Sequence, residues 1–179
     1  TVSKLAISSG SLSPAGSIVV TNGFSWTGGS LGGAGTTTLA STATGSISGV
    51  IDKYMQGNLE NAGLLTLDNS SVVFGYPNQT AGLIRNLAGG TFIANGGGGF
   101  SVYGGNPGRF VNHGVVRHIG SDTTTFANVA FDNSGVVDVL DGTLVLAGGG
   151  TFTGNYAIEG AGLTRLTAPD QVSSLVVDK

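Results

Sequence analysis

The sequence predicts an all-β fold, a single-stranded parallel β-solenoid, on three observations. Glycine makes up 33 of 179 residues without a strict Gly-X-Y period, and only 4 residues are proline, so the chain is rich in tight turns and is not collagen. Its apolar residues fall in short aliphatic or β-branched runs bounded by Gly, Asn and Asp, with no sustained period of 3.6. One short pattern then returns at intervals suited to one coil of a stacked repeat.

In chain order, Val2 to Ile7 is strand-like, with Lys4 its only charge. Leu12 to Asn22 holds strand runs split around Gly16, and Phe24 to Leu39 holds strand runs split by glycine pairs. Residues 50–57, Val-Ile-Asp-Lys-Tyr-Met-Gln-Gly, are the one place where the sequence allows a helical turn. The recurring frame is an apolar residue, any residue, Asn, any residue, Gly, then apolar residues. It runs as Leu59-Glu60-Asn61-Ala62-Gly63-Leu64-Leu65, and Ile84-Arg85-Asn86-Leu87-Ala88-Gly89 carries one extra residue before its Gly. Phe110-Val111-Asn112-His113-Gly114-Val115-Val116 and Phe131-Asp132-Asn133-Ser134-Gly135-Val136-Val137 complete the set. Segments 75–82 and 103–109 interrupt the spacing with Tyr, Pro, Asn and Gly, and are expected to protrude as loops. Thr151 to Leu166 reads as further coil without the Asn.

Side chains alternate faces along a strand. If Phe131 points inward, so do Asn133, Val137 and Val139, while Asp132, Ser134 and Asp138 point outward. The same phase buries Leu59, Asn61, Leu65 and Leu67, and Phe110, Asn112 and Val116. The expectation is a structural column of Asn61, Asn86, Asn112 and Asn133 on the core side, each amide hydrogen-bonded to the Asn of the next coil. The competing reading is that Asn-x-Gly marks ordinary β-turns. The count suggests seven to nine coils, right-handed, forming one domain over residues 1–179. At roughly 4.8 Å per strand this makes a rod on the order of 40 Å long. An antiparallel β-sandwich is the alternative fold.

Composition narrows function. Charged residues make up 9% of the chain and apolar residues 40%, which suits a folded chain with a Ser, Thr, Asn and Gly surface. The net charge of −3 leaves no basic stripe for nucleic acid, and no run is long and apolar enough for membrane insertion. There is no Cys, which removes disulfides and thiolate metal sites. The chain starts at Thr1 without a signal-like segment and reads as part of something longer.

No catalytic residue, metal site or cofactor is predicted. In the two stretches nearest a calcium β-roll consensus, Thr37 and Ser101 stand where the carboxylate ligand would be. Asp132 and Asp138 face outward like solvated charges rather than forming an acid pair. His118 falls on the inward phase and is expected to be partly buried at a strand end. The threonine-rich segments 36–38, 123–125 and Thr151-Phe152-Thr153 do not recur once per coil, so they make no continuous ice-binding face. The candidate ligand-binding residues are Tyr76 and Tyr103 in the two loops and Trp26, read as exposed rings suited to sugar faces. The opposing reading is that these rings cap the core.

The run from Phe131 to Thr151, FDNSGVVDVLDGTLVLAGGGT, and the run from Phe24 to Thr36, FSWTGGSLGGAGT, resemble repeats of very large bacterial extracellular parallel β-helix proteins of the haemagglutinin-like or adhesin-like kind. The two runs, 131–151 and 24–36, cover about a fifth of the chain. The resemblance implies a secreted or cell-surface stalk, adhesin or matrix segment and carries no catalytic residues. The expected partners are a host or environmental glycan, or copies of the chain itself. Strand-like, weakly charged runs at Val2 to Ile7 and Ser173 to Lys179 predict end-to-end association. The alternatives are a carbohydrate- or receptor-binding module acting through loops 75–82 and 103–109, and a polysaccharide-degrading β-helix.

Overall fold

A computed structural model describes residues 1–76, 80–158, 161–167 and 176–178. The chain opens with β1 (Val2–Ile7), β2 (Ser11–Leu12), β3 (Ile18–Trp26), β4 (Gly29–Leu31) and β5 (Thr36–Leu39). It continues with β6 (Thr44–Ser48), β7 (Lys53–Met55), β8 (Asn58–Asn61), β9 (Leu64–Phe74) and β10 (Leu83–Asn86). Next come β11 (Thr91–Val102), β12 (Arg109–Asn112), β13 (Val115–Ile119), β14 (Thr123–Phe126) and β15 (Ala130–Asn133). The last are β16 (Val136–Val139), β17 (Thr143–Leu146), β18 (Asn155–Ile158), β19 (Leu163–Leu166) and β20 (Val176–Asp178).

Every strand pairing is parallel, and each joins one coil to the next. The strands stack on three faces. The first face is followed through Leu5, Phe24, Gly45, Leu65, Phe92, Val116, Val137, Tyr156 and Val177, which are partners in succession. That is about eight turns of a parallel β-solenoid. The steps run from 19 residues, Leu5 to Phe24, to 27, Leu65 to Phe92. The second face runs β2, β4, β7, the end of β9, the end of β11, β14, β17 and β19. The third runs from the start of β3 through β5, β8, β10, β12 and β15 to a single bridge between Asn133 and Phe152. The antiparallel sandwich alternative is therefore set aside.

Strand formation follows from alternation. β12 to β17 each bury every second residue. The core changes character along the axis. The early coils pack Val20, Trp26, Leu39, Ile47 and Met55, all fully buried. The later coils pack a column of rings: Phe92, Phe100, Phe110, Phe126 and Phe131, continued by Phe152.

In three copies of the recurring frame the glycine, at 63, 114 and 135, is explained by close approach rather than by dihedral freedom, whereas Gly89 of the longer copy takes φ +87° in open space. A Cβ on Gly114 would lie 2.3 Å from the carbonyl oxygen of Gly90, and one on Gly135 would lie 2.1 Å from that of Gly114. The backbone of one coil rests on the backbone of the coil before it, leaving no room for a side chain.

The helical turn expected at 50–57 is absent. Gly49 takes φ +82° and opens a bend, and Lys53 to Met55 then form β7, pairing with both β4 and β9. Lys53 and Met55 are both fully buried with Tyr54 between them, a two-residue period that a helix cannot give. Of the C-terminal run, residues 173–175 and 179 lie outside the described residues. Val176–Asp178 pair through their backbone with β18.

Candidate functional site

The polar groups of the described chain sort into an interior column, a set of external ion pairs and a ridge of tyrosines.

Asn61, Asn86, Asn112 and Asn133 are all buried and lie in register. The Asn61 amide Nδ2 donates to Asn86 Oδ1 at 2.8 Å, Asn86 to Asn112 at 2.8 Å, and Asn112 to Asn133 at 2.7 Å. Nδ2 of Asn61, Asn86 and Asn112 also donates to a carbonyl one coil on, those of Thr91, Val115 and Val136. Within the coil, Oδ1 of Asn61, Asn112 and Asn133 accepts the N–H of the glycine two residues later. One side chain thus closes its own turn and links two coils. The column ends where Leu39 and Phe152 take the flanking positions.

Outside, Arg85 pairs with Glu60, Arg109 with Asp132 at 2.7 Å, and Arg117 with Asp138 at 2.9 Å. Each pair bridges adjacent coils of the first or third face. Asp132 and Asp138, expected as free solvated charges, are therefore ion-paired. Asp132 also accepts from the backbone and hydroxyl of Thr151, at 3.0 and 2.9 Å. Half-exposed pairs of this kind contribute about 0–1 kcal/mol each; their larger effect is to penalise a slipped register. Among the described residues, no three His, Asp or Glu side chains gather as a metal site would require.

His118, expected to be partly buried, is completely buried between Ala94 and Val139 on the first face. Its Nδ1 lies 2.7 Å from the carbonyl oxygen of Asp141. A carbonyl can only accept, so Nδ1 carries the proton, and the ring fastens the second corner of its coil to the next one.

Trp26 is not part of any surface. It is fully buried at the end of β3, in phase with Phe24 and opposite Ile7 and Ile47. Tyr76 and Tyr103 are exposed, at 42% and 61%, and stack on each other with centroids 5.9 Å apart and planes 18° apart. Sequence reasoning missed the third ring, Tyr54, which meets Tyr76 edge-on at 5.0 Å. The signal was available: steps of 22 and 27 residues from Tyr54 to Tyr76 to Tyr103 are within the range of coil lengths. The three phenols form a ridge along the axis, one per coil. Residues 77–79 of the 75–82 loop lie outside the described residues. The Tyr54 hydroxyl donates to Asp52 Oδ2 at 3.3 Å. Desolvation by burial and then the nearby Asp52 charge raise its pKa above the usual tyrosine range.

Beside the ridge, residues 49–52 form a projecting bend that leaves Val50 99% and Ile51 62% exposed. Lys53 holds it from beneath. Its buried Nζ donates to the carbonyls of Gly49 at 3.0 Å and Ile51 at 2.7 Å. Burial lowers the Lys53 pKa from 10.5, against a smaller opposing pull from Asp52. The unfolded chain therefore binds this proton more tightly than the folded one, and stability at this position rises with pH between the lowered value and 10.5. The stability of the wild type relative to Lys53→Met is expected to climb across that alkaline window. Denaturant melts at a series of pH values measure it, and a difference that falls with rising pH contradicts the assignment.

No protein-family model matches this chain, and comparison with curated proteins and with solved structures returns no match.

Proposed function

We propose that the chain is a structural or adhesive segment of a secreted or surface-displayed bacterial protein: a stalk, adhesin or extracellular-matrix rod. One observation carries the reading. Among the described residues, four asparagines in the interior column and three arginine–carboxylate pairs outside are used to tie one coil to the next. This arrangement supports a register-locked rod, and it puts Asp132 and Asp138 on different faces, each paired with an arginine, rather than facing each other as a hydrolytic acid–base pair would. The resemblance to adhesin-like repeats and the low charge support extracellular display.

A second reading is favoured by the tyrosine ridge: a carbohydrate-binding module working through Tyr76 and Tyr103. The outer face of Tyr103 offers a flat apolar platform for a sugar ring.

The test combines three measurements on the purified chain. Particles coated with it should cohere or attach to surfaces, and incubation with a panel of polysaccharides should release no new reducing ends. A glycan array should retain wild type and Tyr103→Ala equally. Release of reducing ends would overturn the structural reading in favour of a polysaccharide-degrading β-helix. Glycan retention that drops tenfold or more in Tyr103→Ala would select the binding module instead.

A further inference from the structure

We propose that Tyr76 and Tyr103 are a site of oxidative cross-linking, joining two successive coils through a dityrosine bond. The inference stands apart from either functional reading, since it follows from where the oxidisable side chains lie. The chain has no Cys, one Met and one Trp, and Met55 and Trp26 are both fully buried. Of its four tyrosines, Tyr156 is buried, with its hydroxyl bonded to Thr164. Tyr54 is partly buried, bonded to Asp52, and meets Tyr76 only by an edge. Tyr76 and Tyr103 remain: exposed, on adjacent coils and already stacked nearly parallel at 5.9 Å. A one-electron oxidant arriving from solvent meets these two phenols, and each radical forms beside its partner.

The chemistry balances with a peroxide as oxidant and a haem peroxidase as catalyst. Each phenol loses one hydrogen atom, and the peroxide is reduced to two waters. The two phenoxyl radicals couple through ring carbons ortho to oxygen, forming one carbon–carbon bond. The two ortho hydrogens then move to the oxygens and restore both phenols. The product lacks two hydrogen atoms relative to the starting chain. Rotation about the Cα–Cβ bonds of two exposed loop residues brings the ortho carbons together.

Such a bond would do for this cysteine-free chain what a disulfide does elsewhere. It closes the chain between residues 76 and 103, restricting the unfolded ensemble, and it clamps the loop after β9 to the loop after β11.

The experiment treats the dilute full chain with hydrogen peroxide and a haem peroxidase. The expected result is dityrosine fluorescence in the monomer fraction, a mass lower by two hydrogens, and a proteolytic peptide pair joined at Tyr76 and Tyr103. The melting temperature should rise after oxidation. Tyr76→Phe and Tyr103→Phe should each abolish the monomeric signal, and Tyr54→Phe should retain it. These variants remove one hydroxyl each, so circular dichroism should confirm an unchanged fold. Absence of dityrosine in the wild-type monomer overturns the proposal, as does cross-linking confined to covalent dimers. A monomeric signal that persists in Tyr103→Phe overturns it equally.

Discussion

Asn112→Ala is expected to destabilise the chain by about 1–3 kcal/mol, the range for leaving buried hydrogen-bonding groups unpaired. The amide of Asn112 serves five contacts. Its Nδ2 donates to Asn133 Oδ1, to the Val136 carbonyl and more distantly to that of Gly114. Its Oδ1 accepts from Asn86 Nδ2 and from the Gly114 N–H. Truncation strands partners on the coils before and after. Asn112→Asp should be worse than Ala, because a buried carboxylate oxygen would face Asn133 Oδ1, itself an acceptor. Asn106→Ala, in the 103–109 loop, should stay within about 0.5 kcal/mol. Chemical denaturation of the three variants checks the ordering. Equal losses at residues 112 and 106 would mean that the column contributes nothing beyond an ordinary turn.

Phe110→Ala is expected to produce the largest loss, about 3–5 kcal/mol, as for a fully buried ring in a core that collapses only partly. Phe110 meets Phe92 edge-on at 4.9 Å, Phe126 at 5.4 Å, and stacks on Phe131 at 5.5 Å. Its neighbours along the axis belong to adjacent coils of one covalent spiral and cannot close around the gap without shifting the backbone ladder. A solenoid is coupled mainly through nearest neighbours. The cavity should therefore weaken cooperation between the coils on its two sides and broaden or split the unfolding transition. Val50→Ala, at a side chain 99% exposed, should stay within about 0.5 kcal/mol of wild type. A loss below about 1 kcal/mol at Phe110, with one sharp transition, would contradict a continuous ring column.

Much of the fold was legible in the sequence because period-two alternation is local. Counting from Phe110 and Phe131 places Asn112 and Asn133 on the core side, and the Asn spacings of 25, 26 and 21 mark single coils. The same count from Phe24 would have buried Trp26; reading the indole as a surface ring set aside a phase the strand already carried. The helical turn expected at 50–57 has a different origin. Gly49 and Val50 belong to a bend, and only the pairing of Lys53–Met55 with β4 and β9 shows that the residues after them alternate.

The candidate site was less legible. Tyr76 and Tyr103 stood out by composition, but their stacking, the edge contact with Tyr54, and the Arg109–Asp132 and Arg117–Asp138 pairs all join residues on different coils. Coil length varies from 19 to 27 residues because the corners absorb different numbers of residues, so no fixed offset predicts which side chains meet. The chain's own alternation, glycines and recurring Asn pointed to stacked coils and a polar column within them, since both depend on contacts close in sequence or repeated along it; the strand pairings then decided for parallel coils over an antiparallel sandwich. The division into three faces, the pairing of charges and the tyrosine ridge were decided only when the coils stacked, because parallel pairing about 4.8 Å apart puts side chains some 20 residues distant in sequence into direct contact.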